Sequence, residues 1–543
     1  MENPKFQIRY LVNTVARLSR KLFVSGVAAL LICWPLPKSA QASAGDLDLT
    51  FGNQGKVVTD FFGNFDILNG LALQPDGKII AAGTAALPNN SNDFALARYN
   101  SNGALDPTFG SGGKVTTGFP VASSSIQDIV IQPDGKILAA GGADSNFALA
   151  RYNSNGSLDA TFGAGGRVTT TIPDAGSFTD IAVQPDGKIV AAGTVTNFQN
   201  NQERFVIARY NSNGSLDNTF GSGGIVITDL LGDIDRASSL VITADGKLVV
   251  AGGTFNPGGF SDFALARYNS NGSLDATFGS GGVVITDFFG GFDFCSCISL
   301  QPDGKLVAGG DAISNTLGAI LGIARYNSDG SLDPTFGVGG KSNDITRVSA
   351  RGAAVLPNGK IIVGGLGFSA ITGSDFDFSA VRYNSDGSLD NTFGSGGVSS
   401  AGFTGNVAQV NTIALQPDGK LIVGGSLISP QTSFDFTLAR FNGDGPSFDI
   451  CLQDDSNGNL LQINTATGDY QFTNCGGLTI GGTGTLTKRG SLINLQHNSV
   501  DRRVLATIDT SAKRATASVQ LLSQGRMFSI TDRNITNNTC ACR

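Results

Sequence analysis

Apolar and polar residues alternate along this chain in short runs. In the first such stretch, Lys56–Phe62, Leu71–Gln74, Lys78–Thr84 and Phe94–Asn100 are β-branched or apolar, and Gly, Asn, Asp and Pro separate them. Runs of this length bounded by turn residues predict four β-strands. Pro75-Asp76-Gly77 predicts a tight turn between the second and third, because proline presets φ and glycine accepts the left-handed position. Ile79-Ile80-Ala81-Ala82-Gly83 is apolar on both faces, as a strand sandwiched between two layers requires.

The pattern then repeats. Thr-Phe-Gly begins at Thr50, Thr108, Thr161, Thr219, Thr277, Thr335 and Thr392. Gln-Pro-Asp-Gly-Lys begins at Gln74, Gln132, Gln184, Gln301 and Gln416, with degenerate copies at Thr243 and Leu356. An Ala-Arg-Tyr-Asn landmark, with small variations, carries its arginine at Arg98, Arg151, Arg209, Arg267, Arg325, Arg382 and Arg440. Four strands per repeat match a propeller blade, and the period is too long for one coil of a β-helix. The prediction is an all-β, seven-bladed β-propeller. Seven full units leave one strand at the start and three at the end, so Lys56–Phe62 is expected as the outermost strand beside Phe436–Asn442, an interlocking (Velcro) closure of the ring.

Composition agrees. The chain has 543 residues, more than one ordinary core holds, and its 74 glycines with 41% apolar residues suit many short strands joined by turns. Residues 1–42 read as a signal peptide: Lys5, Arg9, Arg17, Arg20 and Lys21 precede the apolar run Leu22–Trp34, and Ala40-Gln41-Ala42 offers a cleavage site before Ser43. The alternative, an uncleaved anchor, meets a run of about 13 apolar residues where roughly 20 are needed to span a bilayer. Removal of this segment, with six basic residues and Glu2, takes the formal net charge from −7 to −12. Such a surface repels phosphate backbones and anionic lipid heads, so nucleic acid is not expected as a partner. The expected domains are the signal, the propeller over 43–446, and a small β-rich, cysteine-bearing domain over 447–543. The expected location is secreted, periplasmic or cell-surface, with no transmembrane segment after cleavage.

The unit Tyr-Asn-Ser-Asn-Gly-Ser-Leu-Asp-x-Thr-Phe-Gly-x-Gly-Gly, followed by Gln-Pro-Asp-Gly-Lys and Ala-Arg-Tyr, resembles the bacterial delta-60 repeat family from about Leu47 to Asn442. That resemblance implies a propeller on a bacterial surface or secreted protein and supplies no activity. The unit is also similar, more loosely, to NHL-type propellers, which implies that Leu71–Gln74 is innermost in its blade.

Several residues invite a chemical role. The repeated arginine shares an apolar face with Phe94 and Leu96 and needs a partner; Asp106, Asp159, Asp217, Asp275, Asp333 and Asp390, bracketed by Asp48 and Asp449, are the nearest repeated carboxylates. A girder inside each blade is expected over a ring of anion-binding arginines. Loops such as Asn100–Asp106 and Asn327–Asp333 resemble calcium loops without the terminal glutamate, and turn chemistry explains them without metal, so no cofactor is expected and Ca²⁺ remains the alternative. The segments Asp60–Asp66, Asp229–Asp235 and Asp287–Asp293 offer paired carboxylates, read first as turns and caps.

Absences narrow the chemistry. His497 is the sole histidine, Glu203 the sole glutamate after Glu2, and Trp34 the sole tryptophan, so a histidine base, a glutamate pair and tryptophan sugar platforms have no residues in the propeller. No catalytic residue is assigned. Cys295 and Cys297 are read as a bridge or inert thiols, and Cys451, Cys475, Cys540 and Cys542 as two disulfides. The Pro-Asp-Gly turns and the Asn-Ser-Asn-Gly links are nearly constant and should share one face. The variable connections then share the other, where Phe198, Glu203, Phe255 and Phe260 are the candidate ligand contacts. The leading expectation is a non-catalytic scaffold binding protein or glycan there. A Ca²⁺-assisted lactonase-like or lyase-like enzyme in the channel and a structural spacer are the alternatives.

Overall fold

The computed structural model describes residues 43–444 apart from 90, 122, 256–258, 315–317, 343–345, 369–375, 404–406 and 429–433, and beyond 444 the backbone of nine strands. Strand β1 (Lys56–Thr59) is followed by β2 (Asp66–Leu73), β3 (Ile79–Ala86), β4 (Asn92–Tyr99) and β5 (Lys114–Thr117). The last four form blade 1 in spatial order β2-β3-β4-β5, all antiparallel. The same order recurs around the ring; in blade 5 three strands are described, and Lys341 bridges Ala324 at the outer edge. β1 is the outer strand of blade 7, with Val58 opposite Thr437 on Asp435–Phe441, so the expected closure is present. The strand over Lys56–Phe62 stops at Thr59, where the Asp60–Asp66 turn begins.

Closure buries surface from both ends of the repeat. Leu68, Ile79 and Tyr99 of blade 1 pack with Ile422, Phe436 and Leu438 of blade 7. Each fully buried side chain of this size contributes about 1.5–3 kcal/mol, so blade-to-blade packing dominates the fold. The central strands β3 and Ile137–Ala143 are buried almost throughout, which is why they read as unbroken apolar runs.

Every inner strand carries a β-bulge against its neighbour. It falls between Leu68 and Gly70, Ile126 and Asp128, Phe178 and Asp180, Ala237 and Ser239, Cys295 and Cys297, Ala350 and Gly352, and Val410 and Thr412. Opposite each bulge stands a glycine, such as Gly83, Gly193 or Gly252. A Cβ there would collide with a carbonyl oxygen of the inner strand just before the bulge, that of Ile67, Ser177 or Arg236. The bulge also corrects one expectation. The inner strand begins at Asp66, five residues before Leu71, because the extra residue Asn69 interrupts the period-two pattern.

The repeated arginines are girders. Arg98, Arg151, Arg209, Arg267, Arg325 and Arg382 meet Asp106, Asp159, Asp217, Asp275, Asp333 and Asp390 at 2.6–2.9 Å, and Arg440 closes the set on Asp48 at 2.8 Å. Each guanidinium also lies 4.4–4.7 Å from the phenylalanine ring of a Thr-Phe-Gly. Arg209 Nη1 donates to the Ser270 carbonyl of the next repeat at 2.5 Å, so one residue ties two blades together.

Beyond 444, four strands from Ile450–Gln453 to Thr479–Thr483 form one antiparallel sheet, and five from Thr485–Arg489 to Arg526–Asn534 form a second. The reading of Leu478–Lys488 as a single strand is corrected: it divides between the two sheets. Cys475, Cys540 and Cys542 lie outside the described residues, and for Cys451 only the backbone is described, so the expected disulfides fall outside what the structure covers. The signal reading, over 1–42, does as well. Cys295 and Cys297 are free, buried thiols; burial raises both, Cys297 to about 12, which leaves them inert. Among the described residues, no helix is long and apolar enough to cross a membrane.

Candidate functional site: a cavity among the inner strands

The two faces of the ring differ chemically. On one, the collar lysines Lys78, Lys136 and Lys188 reach Asp106, Asp159 and Asp217 at 3.7, 3.1 and 3.0 Å, so the constant turns and links fasten to each other. At the opposite ends of the strands, a cavity of about 800 Å³ opens among blades 2 to 6. Bulge residues Thr179, Ser238, Ser296 and Arg351 line its wall, and Phe198 and Glu203 line its rim. A bulge turns an additional side chain out of the ladder, and here four successive blades turn theirs into one space.

The rim is built locally. The second and third strands of blade 3, Ile189–Asn197 and Gln202–Tyr210, are joined by a turn in which Asn197 and Asn200 side chains accept the backbone N–H groups of Gln199 (2.9 Å) and Gln202 (3.2 Å). Asn201 takes a positive φ of 56°, which asparagine tolerates. This turn holds Phe198 74% exposed above the cavity. Glu203 accepts a forked pair of bonds from Arg236, Nε to Oε2 and Nη2 to Oε1, the latter at 3.0 Å. Arg351 lies 3.5 Å from Asp311, which also accepts the Ser349 hydroxyl at 3.0 Å. The cavity therefore combines two aromatic rings (Phe198 and Phe294), two half-exposed ion pairs and hydroxyl groups.

Phe255 and Phe260 do not join it. They stack edge-on against Phe292 at 6.2 and 5.3 Å, in a separate aromatic cluster on blades 4 and 5. Of the four candidate contacts, the structure brings together Phe198 and Glu203 only.

Sequence reasoning missed the bulge residues and one further pair. Asp128 and Asp180, on the inner strands of blades 2 and 3, hydrogen-bond to each other. Burial and the adjacent Asp180 carboxyl raise Asp128 well above the usual carboxylate range. Burial raises Asp180 too, but Leu240 N–H (2.6 Å) and the Ser239 hydroxyl (3.0 Å) donate to its Oδ2 and favour its charged form. The signal that would have found these positions is spacing: apolar residues three apart, as Ile126/Ile129 and Phe178/Ile181, enclose two residues where a regular strand has one.

No curated protein matches the chain in sequence. Among solved structures it is similar to the virginiamycin B lyase of Staphylococcus aureus, at 12% identity and a TM-score of 0.43, over 71% of this chain and 98% of that one. It is similar to polysaccharide lyase Uly1 at 12% identity and a TM-score of 0.43, over 73% and 92%. It is similar to the periplasmic gluconolactonase PpgL of Pseudomonas aeruginosa at 12% identity and a TM-score of 0.32, over 74% and 98%. A family model matches residues 74–109, 132–162, 184–220, 243–278, 301–336, 356–393 and 416–445, one stretch per repeat. The chain is a seven-bladed β-propeller, each of whose repeats matches the family described as a domain of unknown function (DUF5122) β-propeller.

Proposed function

We propose that this protein is an exported binding propeller that receives a segment of glycan in the cavity lined by Phe198, Glu203, Arg236 and Arg351. The observation that carries this reading is the lining: exposed phenylalanine beside ion pairs and hydroxyls. A sugar ring offers an apolar C–H face to an aromatic ring and hydroxyls to charged side chains at its edge, the mixture that such a concave site supplies. The seven girders fix the scaffold, and the lining differs from blade to blade, as recognition of an asymmetric ligand requires.

The test is binding of the full-length protein to an oligosaccharide panel, then calorimetric titration with the best ligand. Phe198→Ala and Arg351→Ala should each weaken binding at least about tenfold, near 1.4 kcal/mol, while Lys188→Ala on the collar leaves it within about twofold. Full affinity in both cavity variants, or loss in the collar variant, contradicts the assignment.

A second reading has one observation in its favour. Asp128 and Asp180 form a hydrogen-bonded carboxyl pair in which burial raises both and donors from Ser239 and Leu240 favour charge on Asp180, an arrangement suited to an acid and a base, and both adjoin bulge residues of the inner strands. If it acts, Asp128→Asn abolishes turnover of a bound polysaccharide or lactone while leaving its binding intact. Unchanged ligand after prolonged incubation with the wild type removes this reading and keeps the first.

A further inference from the structure

Three junctions between blades share one loop form, and their differences are informative. After the outer strand comes Asp60-Phe-Phe-Gly-Asn-Phe-Asp66, Asp229-Leu-Leu-Gly-Asp-Ile-Asp235 or Asp287-Phe-Phe-Gly-Gly-Phe-Asp293. The second aspartate caps the loop in all three, accepting the N–H of Phe61, Leu230 or Phe288 at 2.6–2.7 Å. The first accepts Gly63 or Gly290 N–H at 2.6 Å in two of them. The turn and cap roles read from the sequence are therefore present. They leave carboxylate oxygens over.

In the first junction an oxygen from each of Asp60, Asp66 and Asp435 lies within 4.8 Å of the others. Asp66 is completely buried, and its Oδ1 has no hydrogen-bond partner. In the third junction Asp262, Asp287 and Asp293 gather in the same way. The middle junction is built differently. Asp435, Asp262 and Arg204 occupy one structural position: each precedes the phenylalanine paired with the last threonine of the outer strand, Phe436 with Thr59, Phe263 with Thr286, Phe205 with Thr228. Where the other two have aspartate, the middle one has an arginine, 3.7 Å from Asp229. Opposite Asp235 stands Thr254, whose hydroxyl donates to Asp235 Oδ1 at 2.5 Å; opposite Asp66 stands Ala85, which has nothing to donate.

One junction thus fills its carboxylate pocket with a guanidinium and a hydroxyl, and the ring-closing junction presents three carboxylates with one buried oxygen unmatched. Lys114 is close, but its ammonium donates to the Asp60 carbonyl at 2.8 Å and lies over the Phe61 ring.

We propose that Asp60, Asp66 and Asp435 bind a hard divalent cation of the Ca²⁺ class, which does for the ring closure what Arg204 does for the middle junction. Carboxylate oxygens are the ligands this class of ion prefers, with water completing the shell. Asp60 and Asp66 flank β1 and blade 1, and Asp435 begins the strand that β1 completes, so the ion would join the two ends of the repeat array.

The test uses full-length protein freed of metal with a chelator, in an Asp262→Asn background that disables the other acidic cluster. CaCl₂ is titrated by calorimetry, and melting is recorded with and without it. The expected result is binding with a Kd on the order of 10⁻⁴–10⁻³ M, typical of extracellular modules, and a higher Tm in calcium. Asp435→Asn should lose both, and Asp435→Arg should melt above Asp435→Asn without calcium and not respond to it. If Asp435→Asn does not fold, Asp60→Asn, at an exposed position, gives the same reading. Equal calcium responses with and without these substitutions, or no response in the parent, overturn the proposal.

Discussion

Asp217 accepts Arg209 at 2.8 Å, Lys188 at 3.0 Å, and the N–H and hydroxyl of Thr219 at 3.0 and 2.7 Å, while Arg209 stacks 4.5 Å from Phe220. Both members of the Arg209–Asp217 pair are buried, so removing one leaves a charge without its counterpart. Arg209→Leu is expected to cost about 3–5 kcal/mol in chemical unfolding. Lys188→Ala, a half-exposed partner of the same carboxylate, should cost under about 1 kcal/mol, and a comparable loss in both would contradict the girder assignment. The same contacts set a pH response. Burial raises Asp48, but hydrogen bonds from Thr50 and Lys420 and the charge of Arg440 outweigh it and bring the carboxyl down from 3.8 to about 2. A depressed carboxyl contributes stability above its unfolded value and loses it as pH falls through the folded one. The stability that Asp48 supplies should therefore be lost between about pH 4 and 2, read as the difference between acid melts of the parent and of Asp48→Asn. These roles were legible in the sequence, because the Arg-Tyr-Asn landmark (Arg-Phe-Asn in its last copy), Leu-Asp and Thr-Phe-Gly name the arginine, its carboxylate and its ring in each of seven repeats.

The inner strand was less legible. Its bulge adds one residue without changing the apolar composition, so reading by alternation finds Leu71–Gln74 and misses the five residues from Asp66 to Gly70. The residues thereby lost, Thr179, Ser238, Ser296 and Arg351, are the ones that line the cavity. Phe198 and Glu203 were found because they lie in or beside a connection unlike its counterparts; Phe255 and Phe260 share that property, yet a local stack with Phe292 holds them apart from the cavity. The glycine opposite the bulge gives a test at this scale. In Gly193→Ala the new Cβ meets the Ser177 carbonyl, and either the bulge shifts or the strands part. A loss of about 1–3 kcal/mol is expected, with weaker glycan binding well below the melting temperature because Thr179 moves with the bulge. Unchanged stability would mean that the bulge is not held by the glycine.

At the scale of the whole molecule, seven units and an interlocking strand were legible because a repeat count and a leftover strand leave one way to close the ring without an open edge. Deleting residues 43–63 removes β1 and exposes the edge of Asp435–Phe441, and should lower the Tm sharply and promote aggregation. A Tm equal to the full chain would show that β1 is dispensable. The central claim, that recognition occurs at the cavity and not at the collar, is tested most directly by hydrogen–deuterium exchange with and without the best oligosaccharide. The account predicts slowed exchange in 194–203, 236–239, 294–296 and 349–351 and none in the turns 74–78, 132–136 and 184–188. Protection of those turns, with the cavity segments unchanged, would contradict it.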